Sequence, residues 1–168
     1  LDPRYPVPQH ICEITNGLID QNVLNFDKSA NDDMTLTYHD SCNVARASSM
    51  GGIMGGQFTI PRKIIQTVAN NFYDMDDETI KEKTYCCGGG GGLLTDDLME
   101  LRVKGALPRM EALKHLIEEK GVTHMATICA ICKSQFSKVF QYYDLELDQI
   151  VSLHQLVSNA LIMNKKEV

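Results

Sequence analysis

The chain has 168 residues, 43% of them hydrophobic, and a formal net charge of −6. That is enough apolar content for one ordinary globular core, and the negative balance, with no basic stripe, excludes non-specific nucleic-acid binding. No apolar run approaches the roughly 18 residues of a membrane-spanning helix, and six unevenly spaced cysteines do not make a small secreted disulfide scaffold.

In chain order, the opening holds Pro3, Pro6 and Pro8 and no initiator Met or signal peptide, which suggests a start inside a longer protein. Residues 9–24 read as a helix with Ile11, Ile14 and Leu18 on its core face. Residues 25–33 are polar and read as a linker, so residues 1–33 are expected to be an N-terminal helix and linker, the tail of an upstream region. The second unit is then 34–168. It opens with a β-prone run, 34–39, which ends at Asp40-Ser41-Cys42.

Two Gly-Gly pairs make 48–58 a flexible loop. Pro61 is placed as a first helical residue, and Ile64, Ile65, Val68, Ala69 and Phe72 form the apolar stripe behind it. A short strand is expected at 72–75. Thr95 is a candidate N-cap for a helix reaching about Lys120, with a break near Gly105 and Pro108, core contacts from Leu98, Leu101, Leu113, Leu116 and Ile117, and a stop at Gly121. Strands follow at 122–128 and 147–152. Each leads into a helix, the first carrying Phe136, Val139 and Phe140, the second Leu153, Leu156, Val157, Ala160 and Leu161.

Alternating strands and helices predict an α/β fold, a mostly parallel sheet of short strands with flanking helices. Such sheets carry their sites beyond the carboxyl ends of the strands. There the expectation sharpens, because Cys42 follows one predicted strand, Cys86-Cys87 end another, Cys129 ends a third, Cys132 lies a helical turn later, and His154 follows the fourth. The pair Cys86-Cys87 runs directly into five glycines, Gly88 to Gly92. Glycine is conformationally costly and is kept where backbone must approach something closely or take positive φ. The run lacks the Lys-Ser/Thr ending of a phosphate-binding loop. Five thiols exceed the four ligands of a structural zinc site. They suit a soft polynuclear centre, against which glycine N–H groups can donate to sulfur. A zinc site, inert thiols, or a redox pair at Cys129-x-x-Cys132 are the competing readings.

The blocks Cys42, Cys86-Cys87-Gly88 and Cys129-x-x-Cys132, in this order, resemble the cysteine-rich CCG domain of the heterodisulfide-reductase B/D-like family. The stretches 37–46, 87–96 and 128–136 are most similar to its DsrK-type branch, and the resemblance covers roughly 34–163. It implies a noncubane [4Fe-4S] cluster held by Cys42, Cys86, Cys87, Cys129 and Cys132, which are both the metal ligands and the catalytic centre. It further implies reduction or oxidation of a disulfide or trisulfide on a DsrC-like sulfur carrier protein. Electrons would come from membrane quinol through other subunits of a Dsr-type complex, with the chain peripheral on the cytoplasmic face of the membrane. Gly88, Gly89, Gly90, Gly91 and Arg46 are candidate cofactor-binding residues; His39 and His154 are candidate proton donors, each weighed against a structural hydrogen bond. Arg102 and Lys133 are weighed in the same way, as charges for an anionic group or surface ion pairs. Cys12 lies outside the motif and reads as an ordinary half-buried thiol. Two departures stand out: the glycine-rich insertion 48–58, and the lack of a ferredoxin-type cysteine run. An iron–sulfur subunit of another quinone-linked oxidoreductase (lactate or glycolate type) and a zinc-stabilised interaction module are the alternatives.

Overall fold

The computed structural model describes residues 2, 4, 5, 8–92 and 94–163. Pro3, Pro6, Leu93 and the end of the expected second unit lie outside them.

Three strands, β1 (Leu36–Tyr38), β2 (His124–Thr127) and β3 (Ile150–Ser152), form one parallel sheet in the order β1-β2-β3. Around it lie α1 (Ile11–Asp20), α2 (Cys42–Ala47), α3 (Gly56–Val68), α4 (Met99–Lys120), α5 (Ala130–Val139) and α6 (Leu153–Ala160). The fold is α/β, with a short-stranded parallel sheet and flanking helices. The register sets Thr37 opposite Met125 and Met125 opposite Ile150, and Tyr38 opposite Ala126 and Ala126 opposite Val151. Since side chains alternate across a strand, two separate cores result. One face packs Leu36, Tyr38, Ala126 and Val151 with Cys12, Ile64, Ile65, Val68, Leu153 and Leu156. The other packs Met125 and Ile150 with Cys87, Ala106, Met110, Leu113, Cys132, Phe136 and Phe140. We call these the α3 face and the α4 face.

Several sequence expectations need correction. The run 72–75 makes only a single parallel bridge, Phe72 to Leu36, held by Leu36 N–H to Asn71 O and Tyr73 N–H to Leu36 O. Cys86-Cys87 therefore do not end a strand; they follow two short 3-10 turns in an irregular segment. In α1 the buried residues are Cys12 and Thr15, whereas Ile11 and Ile14 are exposed. The two candidate stripes are one residue apart, and the sequence does not say which has a partner. Packing on α3 and the Thr15–His154 contact decide it.

α3 begins at Gly56, so Pro61 sits inside the helix rather than at its start. α4 likewise runs unbroken through Gly105 and Pro108. Its buried stripe is Arg102, Ala106, Arg109, Met110, Leu113 and Leu116, while Leu101 is 65% exposed and Leu98 half-buried. Gly121 ends α4 in the left-handed conformation, φ +65°, as a glycine after a helix commonly does.

Candidate metal centre

All six cysteines are free. β1 ends at Tyr38, and His39 N–H continues its ladder to Ala126 O at 2.9 Å. Asp40 and Ser41 then turn the chain so that Cys42 opens α2. β2 ends at Thr127, and Cys129 is the N-cap residue of α5, which carries Cys132 in its first turn. Both blocks thus stand beyond the carboxyl ends of adjacent parallel strands.

Cys86-Cys87 reach this edge by other means. Asp40, buried beside Cys42, accepts from Lys81 N–H at 2.9 Å, and its carbonyl accepts from the Thr84 hydroxyl at 2.7 Å. Arg46, on α2, donates to Glu82 O at 3.0 Å and to Thr84 O. Residues 40–46 therefore hold the segment 81–84 directly ahead of Cys86. On its other side that segment lies against α4. A Cβ on Gly88 would meet Arg102 O at 2.4 Å and Ala106 N at 2.8 Å, and one on Gly105 would meet Gly88 Cα at 3.4 Å. Helix backbone lies against Gly88, at φ +84°, and this packing alone requires glycine there.

The next glycines face sulfur. Gly88 N–H donates to Cys86 Sγ at 3.3 Å, and the nearby amides of Gly90 and Gly89 act against the upward pKa shifts of Cys86 and Cys87 respectively. A Cβ on Gly89 would lie 3.3 Å from Cys87 Sγ. Gly91 has open space around its Cα, so its requirement is conformational, φ +73°.

The thiols of Cys86, Cys87 and Cys132 neighbour one another and influence one another's titration. The Cys132 thiol, the larger influence, and burial push Cys87 up to about 12, partly offset by the neighbouring Cys86 thiol. The contact with Cys87 and then burial push Cys86 up, against the glycine N–H groups. Cys87 and Cys132 are buried, Cys42 and Cys129 half-buried, and Cys86 exposed. Cys86 lines a cavity of about 230 Å³ with Gly88, Gly90, Leu98, Leu101 and Arg102. Leu98 and Leu101, expected in the core, are walls of this opening instead. Cys129 lines a second cavity, about 200 Å³, with Lys133 and Ser152.

Among the described residues, no three His, Cys, Asp or Glu side chains converge on a single ion-sized point. The arrangement is three neighbouring thiols, with Cys42 and Cys129 at neighbouring strand ends. A soft donor set spread over several elements, with a backbone N–H group aimed at Cys86, fits a sulfide-bridged polynuclear group.

Other candidates occupy distinct positions. His39 is fully buried, edge-on to Phe136 at 4.9 Å, and neither ring nitrogen has a hydrogen-bond partner among the described residues. Burial and then the Arg109 charge hold its pKa well below the ordinary value. His154 Nε2 lies 3.2 Å from Thr15 Oγ1 on α1. Arg102 is buried, donating to Gln135 Oε1 at 2.8 Å and to the carbonyls of Leu94 and Thr95. Cys12 is fully buried on the α3 face, more so than expected. The sequence reading missed Arg62 and Arg109. Arg62 grips Asp40 through two hydrogen bonds, 2.9 and 2.7 Å, and also reaches Asp74. Arg109 was legible in principle, because Arg102, Gly105, Ala106 and Arg109 share one face at spacings of three and four.

The cysteine-rich domain family CCG matches residues 36–137, which span all five motif cysteines. The chain belongs to this family. Two curated relatives align with the chain over 154 residues, 92% of its length. The "Hdr-like menaquinol oxidoreductase iron-sulfur subunit 2" of Archaeoglobus fulgidus is 44% identical, and the "Hdr-like menaquinol oxidoreductase iron-sulfur subunit" of Archaeoglobus profundus 43%. The chain spans 26% of the length of each relative. No solved structure matches it significantly. Among the described residues, no helix is long and apolar enough to cross a membrane.

Proposed function

We propose that this CCG domain is the catalytic part of an Hdr-like, DsrK-type iron–sulfur subunit. Cys42, Cys86, Cys87, Cys129 and Cys132 would hold a noncubane [4Fe-4S] cluster. The observation that carries the reading is the gathering of the Cys42, Cys86-Cys87 and Cys129/Cys132 blocks at one edge of the sheet, with Gly88 N–H directed at Cys86 Sγ. The names of the two relatives, both iron–sulfur subunits of menaquinol oxidoreductases, support it. The family match begins at residue 36, while α1 packs on α3 and Cys12 shares the core of the α3 face, so the described part of residues 1–33 is better taken as part of the same packed unit than as a separate tail.

The cluster would supply electrons, one at a time, to a sulfur–sulfur bond. Cleaving a disulfide takes two electrons and two protons and leaves two thiols. In this reading membrane quinol provides the electrons through partner subunits, and the substrate is a disulfide or trisulfide on a DsrC-like carrier; the reverse direction uses the same site. The domain would sit peripherally on the cytoplasmic face of the membrane. The protein's part is position, charge and access. Exposed Cys86 and its adjoining cavity give a sulfur-bearing arm an approach, while buried Cys87 and Cys132 anchor the inner side. Arg46 holds the Cys86 segment to α2, and the amides of Gly89 and Gly90 lie near sulfur. His39 is a buried proton site behind the cysteines.

The test is iron and acid-labile sulfide analysis of the anaerobically prepared subunit. The reading expects both, in near-equal amounts, and Cys42→Ala should abolish the electron paramagnetic resonance signal of this cluster. One zinc with no sulfide would sink it, and an unchanged spectrum in Cys42→Ala would remove the five-ligand assignment.

A further inference from the structure

Three arginines are buried around the cysteines, and their partners differ. Arg62 meets two carboxylates, Asp40 and Asp74. Arg102 Nη1 lies 3.7 Å from Asp96 and donates to two carbonyls, and its Nε donates to Gln135. Arg109 is fully buried and contacts no carboxylate among the described residues. Its Nη atoms reach only neutral groups: Met75 Sδ, Thr79 O and the Thr84 hydroxyl. Its Nε has no partner. Asp40 acts on it electrostatically, but Arg62 holds both Asp40 oxygens.

An unpaired cation inside a protein is expensive. Its cost is visible in the structure, for burial is the main influence holding this guanidinium down to about 10. The surroundings say which way the charge points. Arg109 lies against Thr84, two residues before Cys86, and under the Tyr85 ring at 5.7 Å. Its charge is one cause of the lowered pKa of His39. It shares the α4 stripe with Arg102, Gly105 and Ala106, the stripe that backs Gly88.

We infer that Arg109 is a positioning residue whose buried positive charge balances the negative charge of the thiolate-ligated group held by Cys86, Cys87 and Cys132. The inference rests on the cluster reading above. A fixed cation beside a redox group stabilises the more negative, reduced state. Its removal lowers the midpoint potential. An arginine that merely braces the loop through Thr79 and Thr84 would leave the potential alone and lower the stability of the metal-free protein.

The experiment compares the full subunit as wild type, Arg109→Met and Arg109→Lys. Redox titration followed by electron paramagnetic resonance gives the midpoint potential of this cluster, and urea unfolding gives the stability of the iron-free form. The expected result for Arg109→Met is a fall of at least tenfold in the reduced-to-oxidised ratio at fixed potential, about 59 mV for one electron. Arg109→Lys should recover most of that loss. Iron-free Arg109→Met should be as stable as iron-free wild type or more so, since an unpaired buried charge has gone. If wild type loads iron and sulfide but Arg109→Met keeps its potential, this inference alone is overturned. Failure of iron-free Arg109→Met to fold, or a large loss of its stability, overturns it too, by showing a bracing role. If wild type takes up neither iron nor sulfide, the cluster reading itself fails and this inference goes with it.

Discussion

The two faces of the sheet are built on opposite terms. The α3 face is an ordinary apolar core. It joins Leu36, Ile64, Ile65, Val68, Leu153 and Leu156, and its single cysteine, Cys12, touches none of the others. The α4 face is equally buried but chemically mixed. It includes Cys87 and Cys132, and beside them lie His39 and Arg109, with ring and guanidinium nitrogens that lack partners. Orphaned oxygens occur on both sides, Tyr38 Oη, Asn16 Oδ1 and Gln57 Oε1 on the α3 side among them, but the unmatched imidazole and guanidinium nitrogens among the described residues lie on the α4 side. Such orphans in a native fold mark sites where something else completes the set.

The strongest way to test that contrast is to compare the paired arginine with the unpaired one. Arg62→Ala removes both hydrogen bonds to Asp40 and leaves a buried carboxylate without its cation. The expected cost is about 3–5 kcal/mol in urea unfolding of the iron-free protein, against no loss for Arg109→Met. Equal costs at the two positions would erase the distinction between a satisfied and an unsatisfied charge. Because Asp40 also holds Lys81 N–H and Thr84, Arg62→Ala should loosen the segment that delivers Cys86 as well, and iron content should fall.

The glycines sharpen the comparison at a smaller scale. Gly88→Ala drives a methyl into α4 backbone at 2.4 Å from Arg102 O. It should cost about 1–3 kcal/mol from overpacking, together with about 1–2 kcal/mol for a left-handed backbone. Gly91→Ala meets nothing within 4 Å and keeps only the backbone cost, φ being +73°. Both can be read from urea midpoints without metal present. If the two substitutions cost the same, Gly88 is not a packing residue. Gly89→Val, whose Cβ would lie 3.3 Å from Cys87 Sγ, should instead reduce iron and sulfide uptake more than it reduces stability.

What was legible in the chain follows the same division. Parallel strands leading to Cys42 and Cys129 could be read from short apolar runs followed by helical stripes, and so could the α3 and α6 stripes. The delivery of Cys86-Cys87 could not. It depends on Asp40, Arg46 and Thr84, three polar residues whose partners are distant in sequence and mostly backbone. Periodicity carries no trace of side-chain-to-carbonyl bonds. The α4 face was misread for a related reason. Leucines 98 and 101 satisfy an apolar stripe, yet the buried stripe carries two arginines because the neighbouring loop offers carbonyls and hydroxyls instead of apolar side chains.

Cys12 provides the gentlest test, since it is the thiol that the α3 face seals. It is fully buried, and burial followed by the Glu13 charge pushes it from 9.0 up to about 12. The sign follows from which state holds the proton. Between pH 9 and 12 the unfolded chain loses it while the folded chain retains it, so the stability due to this group is complete below pH 9 and declines as pH rises through that window. Cys12→Ala should remove that decline at a cost of about 1 kcal/mol for the small void left behind. It should leave iron content unchanged. Brief iodoacetamide treatment of the iron-free protein at pH 8, read by peptide mass spectrometry, should modify exposed Cys86 and spare Cys12, because the thiol must be reached by the reagent and both pKa values are raised. Alkylation of Cys12 as fast as Cys86 would mean that the α3 face opens readily. The contrast between a sealed core and an unmatched one would then rest on the arginines alone.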